Sequence, residues 1–131
     1  MRYLCTIYGD ETELASATPD QLSEIMKAYG TFTREVSDAG VMLGGDGLQP
    51  TSTATTVRVR DGERLLTDGP FAETKEQLAG FYMLECENLD EAIEWASKIP
   101  GAAIGSVEVR PVMDYEGADE SGAEQSAAAQ R

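Results

Sequence analysis

Ala79-Gly80-Phe81-Tyr82-Met83-Leu84-Glu85-Cys86 is the run on which the fold turns. It is the most strand-like segment of the chain, and both of its faces are apolar: Tyr82 and Leu84 on one, Phe81 and Met83 on the other. A strand with two apolar faces belongs at the centre of a sheet. Its counterpart is the N-terminal run Arg2 to Tyr8, where Tyr3, Cys5 and Ile7 alternate with Leu4 and Tyr8. These two segments are the expected central strands.

The rest of the order follows outward from them. After Cys86, Asn88 caps a helix with Glu91 three residues on, the spacing of a capping box. Leu89, Ala92, Ile93, Ala96 and Ile99 give its apolar stripe, Pro100-Gly101 stops it, and Gly105 to Val112 is a last strand. Before Ala79, Lys75 to Leu78 has the composition of one helical turn. Upstream, Asp61-Gly62 is a two-residue hairpin signal joining Thr55–Arg60 to Arg64–Thr67. Val41 to Leu48 is a strand whose Gly44, Gly45 and Gly47 suggest a bulge or the close approach of another backbone. Thr18 caps a long helix with Pro19 in its first turn, carrying Leu22, Ile25, Met26, Tyr29, Phe32 and Val36 at spacings of three and four. Gly30 weakens that helix and Gly40 ends it. Gly9 to Ala17 reads as a loop.

Strand–helix–strand, an inserted hairpin, then strand–helix–strand is an α+β, ferredoxin-like βαββαβ order with both helices on one sheet face. The other face is apolar and has no element to cover it. A homodimer packed sheet against sheet is the expected solution. The domain is expected over residues 1–113, and residues 114–131, rich in Ala, Gly, Ser and acids without period, as a disordered tail.

Charge and composition restrict the partners. With 131 residues and 41% hydrophobic content, one domain with a modest core is expected. A net charge of −14 and a pI of about 4.2 argue against nucleic acid, because that affinity comes from Lys and Arg releasing counterions from phosphates. No apolar run is long enough for a membrane span, and the N-terminal segment lacks the pattern of a signal peptide. A cytoplasmic location is the expectation. The chain contains no histidine, which removes the commonest general base and the commonest transition-metal ligand. Cys5 and Cys86 sit in apolar strand runs and read as small core residues, or as a disulfide or reactive pair if their strands are neighbours. Neither a cofactor nor a metal site is expected.

Candidate site residues gather around Thr67-Asp68-Gly69-Pro70-Phe71-Ala72-Glu73-Thr74-Lys75-Glu76, a charged loop fixed by Gly and Pro. Asp68 has two readings: it accepts hydrogen bonds from the Gly69–Phe71 backbone and makes the turn, or it is an acid or base at the mouth of a cleft. Phe71 is expected to anchor the loop to the core. Glu73, Lys75 and Glu76 are either a solvated face or, for Lys75, a cleft-lining cation. Arg58 and Arg60 are an exposed strand face or a site for a small anion, since guanidinium groups bind carboxylates bidentately. Tyr82 and Tyr8 are core residues with a hydroxyl at the rim, and Tyr82 is alternatively a supporting polar group of the same cleft. Asp46 could face the opening with Asp68, but spacing alone places no cation there.

Several stretches together resemble the YCII-related family, in its DGPF subgroup: Tyr8-Gly9-Asp10-Glu11, Gly44-Gly45, Thr53 to Arg58, Asp68 to Glu76, and Gly105 to Pro111. The resemblance covers roughly residues 1–113. It implies a dimeric α/β barrel of ferredoxin-like subunits, in a bacterial family largely without an assigned reaction. Some relatives are suspected enzymes through a His-Asp pair lining a cleft between sheet and helices; only the Asp, Asp68, has a counterpart here. The DGPF subgroup implies a genomic association with extracytoplasmic-function sigma factors. Two functional readings follow. In one, a small polar or anionic metabolite binds beside the Asp68–Lys75 loop, with Asp68 as acid/base, Arg58, Lys75 and Tyr82 as ligand contacts, and cofactor-free chemistry. In the other, the chain is a non-catalytic regulatory dimer with a transcription-regulatory protein partner.

Overall fold

The computed structural model describes residues 1–115. Within it, Ala79–Cys86 does take the central position. Strand β5 (Gln77–Glu85) pairs on one side with β1 (Arg2–Gly9) and on the other with β2 (Met42–Gly47), and β6 (Ser106–Pro111) pairs with the far edge of β1. The order β2-β5-β1-β6, antiparallel throughout, is a ferredoxin-like arrangement. Tyr3, Cys5, Ile7, Tyr82, Leu84 and Cys86 share one face of β1 and β5 and form the core with Phe32, Val36, Val41, Ala92, Ala96 and Ile99 from the helix side. The tail expected from residue 114 lies, beyond Tyr115, outside the described residues.

The helices are set by their ends. In α2 (Pro19–Asp38), the Thr18 hydroxyl accepts from the Gln21 N–H at 3.2 Å and the Gln21 side chain accepts from the Thr18 N–H at 2.8 Å. This reciprocal box satisfies two orphan donors. At the other end Gly40, with φ of 72°, turns the chain. There Val41 donates to the Val36 carbonyl and Gly40 to the Ser37 carbonyl. That pattern is a Schellman motif, with Val36 and Val41 both buried behind it. The helix runs unbroken through Gly30. Only its C-terminal half packs: Phe32 and Val36 are buried, while Leu22 and Met26 are exposed. In α3 (Leu89–Ser97), Asn88 accepts from the Glu91 N–H at 3.0 Å. The Glu91 carboxylate takes the Glu87 N–H rather than that of the cap residue. A short α4 (Gly101–Ile104) leads into β6.

The glycines of β2 mark both features expected of them. Leu43 is an extra residue opposite β5, a bulge between Met42 and Gly44. A Cβ on Gly45 would stand 2.7 Å from the Phe81 carbonyl oxygen, so this edge strand lies against β5 more closely than a side chain allows.

Two local expectations fail. Gly9 to Ala17 contains a helix, α1 (Glu11–Ala15), capped by the Asp10 carboxylate, which accepts from the Thr12 N–H at 2.9 Å and the Thr12 hydroxyl at 2.6 Å. Lys75 to Leu78 is not a helical turn; the chain is bent until β5 begins at Gln77, where ladder bonds to β1 outweigh the weak preference of four residues for a helix.

Between β2 and β5 stand a 3₁₀ turn (Thr51–Thr53) and a two-stranded ribbon, β3 (Thr55–Arg60) and β4 (Glu63–Asp68). Asp61 and Gly62 both have positive φ, 52° and 77°, as a tight hairpin turn requires. The ribbon forms a sheet of its own with no ladder to the main one. Val57, Val59 and Leu66 are exposed on it.

Candidate functional site

The end of the β1–β5 ladder is where polar side chains from distant parts of the chain meet. The β5 strand opens with Gln77, paired to Gly9 on the helix-facing side of the sheet. The Gln77 side-chain oxygen accepts the Glu11 N–H at 3.0 Å, and its amide nitrogen donates to the Thr74 carbonyl at 2.6 Å. Glu11, the first residue of α1, projects toward the 3₁₀ turn. Its two carboxylate oxygens accept the Thr51 N–H and the Thr51 hydroxyl, both at 2.8 Å. One glutamate thus ties α1 to the turn after β2, and one glutamine ties α1 to the loop before β5.

These braces bound a cleft of about 270 Å³ lined by Thr51, Pro70, Ala72, Glu73, Thr74 and Gln77. The lining is polar, with one carboxylate and no cation. The loop wall is fixed separately. Gly69, with φ of 101°, makes the reversal after β4; its N–H donates to the Ala54 carbonyl at 2.8 Å, and the Thr56 hydroxyl donates to its carbonyl at 2.8 Å. The Ser106 hydroxyl on β6 reaches Glu76 at 2.7 Å. Near the rim, the Asp10 carboxyl is held below the usual carboxylate range, first by the Thr12 hydroxyl, then by the Thr12 N–H, with the Lys75 charge adding to the effect.

The residues singled out from sequence fall in three places. Asp68 and Lys75 flank the loop segment that lines the cleft, and neither is a lining residue. Arg58 lies out on the ribbon opposite Leu65, on the face opposite to Asp68, which is paired with Thr55. Tyr82 is buried on the helix side, its hydroxyl 2.8 Å from that of Thr33 and its ring edge-on to Phe32 at 5.0 Å. The structure therefore brings Asp68 and Lys75 to one loop and leaves Arg58 and Tyr82 away from it.

Two roles assigned from sequence are corrected. Among the described residues, the Asp68 carboxylate accepts no hydrogen bond from the Gly69–Phe71 backbone; Thr56 and Ala54 hold that turn instead. Phe71 does not anchor the loop, since 81% of its surface is exposed. Sequence reading missed Glu11, Thr51 and Gln77, whose types are ordinary on a surface and whose positions are far apart. For Glu11 the signals available were the acidic first turn after Asp10 and its place in the Tyr8-Gly9-Asp10-Glu11 stretch.

Cys5 and Cys86 are both buried and both reduced. Burial, with Cys86 nearby, pushes the Cys5 thiol up to about 11, and burial raises Cys86 as well. They are core thiols kept neutral, the opposite of an activated nucleophile. Among the described residues no group of His, Cys, Asp and Glu could hold a metal ion, and no helix is long and apolar enough to cross a membrane.

The architecture is thus an α+β domain of ferredoxin-like topology with a polar cleft at one end of its sheet. Over residues 1–116 the chain matches the YCII-related domain, and it belongs to that family. It is 38% identical over 117 residues to an uncharacterised protein of Rhizobium meliloti (strain 1021), a match covering 88% of this chain and 94% of that one. Among solved structures it is similar to 5-chloro-2-hydroxyhydroquinone dehydrochlorinase (TftG) from Burkholderia phenoliruptrix AC1100, in complex with 2,5-dihydroxybenzoquinone. That likeness has a TM-score of 0.46 and 14% identity over 91% of this chain and 100% of that one.

Proposed function

We propose that the cleft beside the Asp68–Glu76 loop binds a small polar metabolite, with Asp68 and Lys75 as the ionic groups at its rim. The observation that carries this reading is the bracing. Glu11 and Gln77 tie three separate segments into one wall around a polar cleft, where unbraced surface loops would move independently. Fixed polar donors and acceptors converging on a concavity are what small-molecule recognition requires. Asp68 serves as the acid/base of any reaction there, without a cofactor.

The test is a thermal-shift screen of wild type and of Asp68→Asn and Glu73→Gln against small carboxylates, phosphates and neutral polyols. A ligand at 100 times its Kd stabilises by about 2.7 kcal/mol. The reading requires a compound that raises the wild-type Tm and raises that of one variant less. A compound that stabilises all three proteins equally sites binding elsewhere and refutes it.

Assembly follows from the uncovered face. Leu4, Tyr8, Phe81 and Met83 share the side of β1 and β5 away from the helices and are only half-buried, with Leu78 exposed beside them. The proposal is a homodimer that covers this face sheet against sheet, in the manner of a dimeric α/β barrel. Sedimentation across a range of concentrations tests it; a constant monomer mass overturns it.

A further inference from the structure

The β3–β4 ribbon is exposed on both faces; none of its strand residues is buried and only Thr56 is even half-buried. A two-stranded ribbon alone in water is marginally stable at best. Its register gives the reason to look for a cover. Thr55 pairs with Asp68, Val57 with Leu66 and Val59 with Arg64, and these three rows lie on one face. From base to tip that face reads acid, apolar, base: Asp68, then Val57 and Leu66, then Arg64 beside Val59.

This pattern is self-complementary. A twofold axis through the Val57·Leu66 row lays the tip row of one ribbon over the base row of another. Val57 and Leu66, each 58% exposed, then meet their own copies, and each Arg64 meets the partner's Asp68. The pairing cannot form within a chain. Positions 64 and 68 are four residues apart on one strand, about 13 Å at the rise of a β-strand. Among the described residues neither side chain has an ion-pair or hydrogen-bond partner. A chain of net charge −14 repels its own copy, so a face that offers both signs in twofold register selects a second copy over an arbitrary partner.

We infer that the ribbon is a dimer arm: two copies pack their Thr55–Val59/Arg64–Asp68 faces together, and each arm delivers Arg64 to the partner's Asp68. The consequence reaches the cleft. Asp68 heads the loop whose residues Pro70, Ala72, Glu73 and Thr74 line it, so the cation missing from the lining arrives beside it from the other subunit. The inference rests on the homodimer proposed above and adds a second contact to it.

Two measurements test it. The chain carrying Arg64→Cys and Asp68→Cys together should be cross-linked to a dimer by a short bismaleimide, because facing positions on packed sheets stand about 10 Å apart, while either single substitution should not. Four strand residues, about 13 Å, are too far for the same short linker to bridge within one chain, and Cys5 and Cys86 are buried. By sedimentation, Arg64→Asp alone and Asp68→Arg alone should each weaken the dimer roughly tenfold or more, with two pairs turned to repulsion; the two together should restore it. A wild-type dimer with no cross-link in the doubly substituted chain and indifference to either reversal overturns the arm while the homodimer stands. A wild type that is monomeric at every concentration overturns both.

Discussion

Replacing Glu11 should loosen the protein where its cleft is built, and the size of the loss can be worked from two bonds. Both Glu11 oxygens accept from Thr51, one from the backbone N–H and one from the hydroxyl, each at 2.8 Å. A hydrogen bond to a charged group contributes about 1.5–3 kcal/mol when buried. Both residues are only half-buried, so the lower end applies, and water can replace part of what is lost. Glu11 also opens α1, where a negative charge is worth about 0.3–1 kcal/mol. Glu11→Ala should therefore cost about 2–3 kcal/mol. Glu11→Gln keeps one acceptor and should cost about 1 kcal/mol. Glu11→Asp is one methylene too short to reach Thr51 and should resemble alanine despite its charge. Urea titration is the assay, with an unchanged m-value as the check that the two-state comparison holds. If all three variants lie within about 0.5 kcal/mol of wild type, an ordinary surface value, Glu11 does not brace the cleft and the reasoning fails. If aspartate equals wild type while alanine falls, the charge at the helix start matters and the Thr51 bonds do not.

Two further perturbations have signs fixed by the structure. The Cys5 thiol is pushed up to about 11 in the folded chain from an ordinary value of 9.0. Its stabilising contribution is complete below pH 9 and is lost as pH rises from 9 to 11, where only the unfolded chain ionises, a fall of about 2–3 kcal/mol. Denaturation from pH 8 to 11 should show the gap between wild type and Cys5→Ala closing over that window; a constant gap refutes it. Gly30 lies within α2, with ordinary helical φ and nothing within 4 Å of a built Cβ. Gly30→Ala should raise stability by about 0.5–1 kcal/mol, read as a Tm increase of a few degrees; a decrease would mean the α2 face at Gly30 contacts something.

The sheet was legible because its evidence is periodic and repeated. Phe81 to Leu84 and Tyr3 to Ile7 alternate with both faces apolar, and only central strands require that. Helix ends were legible where one side chain does the capping, as at Thr18 and Asn88, or where only glycine turns easily, as at Gly40. Short elements were not. Five residues in α1 hold too few apolar positions to show a period, and its signal was the Asp10 cap alone. Phe71 misled because an aromatic beside Gly-Pro is equally compatible with turning inward or outward, and the choice depends on neighbours far away in sequence. The cleft was least legible of all. Glu11, Thr51 and Gln77 become neighbours only once β1 and β5 pair, and nothing in threonine or glutamine marks them beforehand. Asp68 and Lys75 were singled out because a loop held by Gly and Pro announces itself locally, and they flank the lining without belonging to it.

The cleft lies apart from the sheet's core, and the order of the chain shows why. Strands β2 and β5 are antiparallel neighbours, and a hairpin of two to five residues would join them. The chain instead spends residues 48–76 on the connection. That segment supplies Thr51, Pro70, Ala72, Glu73 and Thr74, five of the six lining residues, and the whole exposed ribbon. The core shared by β1, β5 and the helices contributes only Gln77 to the lining and, through α1, the Glu11 brace. The buried core and the polar cleft are thus housed in different parts of one small domain. The buried cluster around Leu84 and Val36 holds the sheet on its helices, while an exposed connection on that frame carries the polar groups. Changes within residues 48–76 leave the core closed, because their side chains lie outside it, and the connection is tied to the frame through Glu11, Gln77, the Ser106 hydroxyl on Glu76 and the Leu48 N–H on the Ala79 carbonyl.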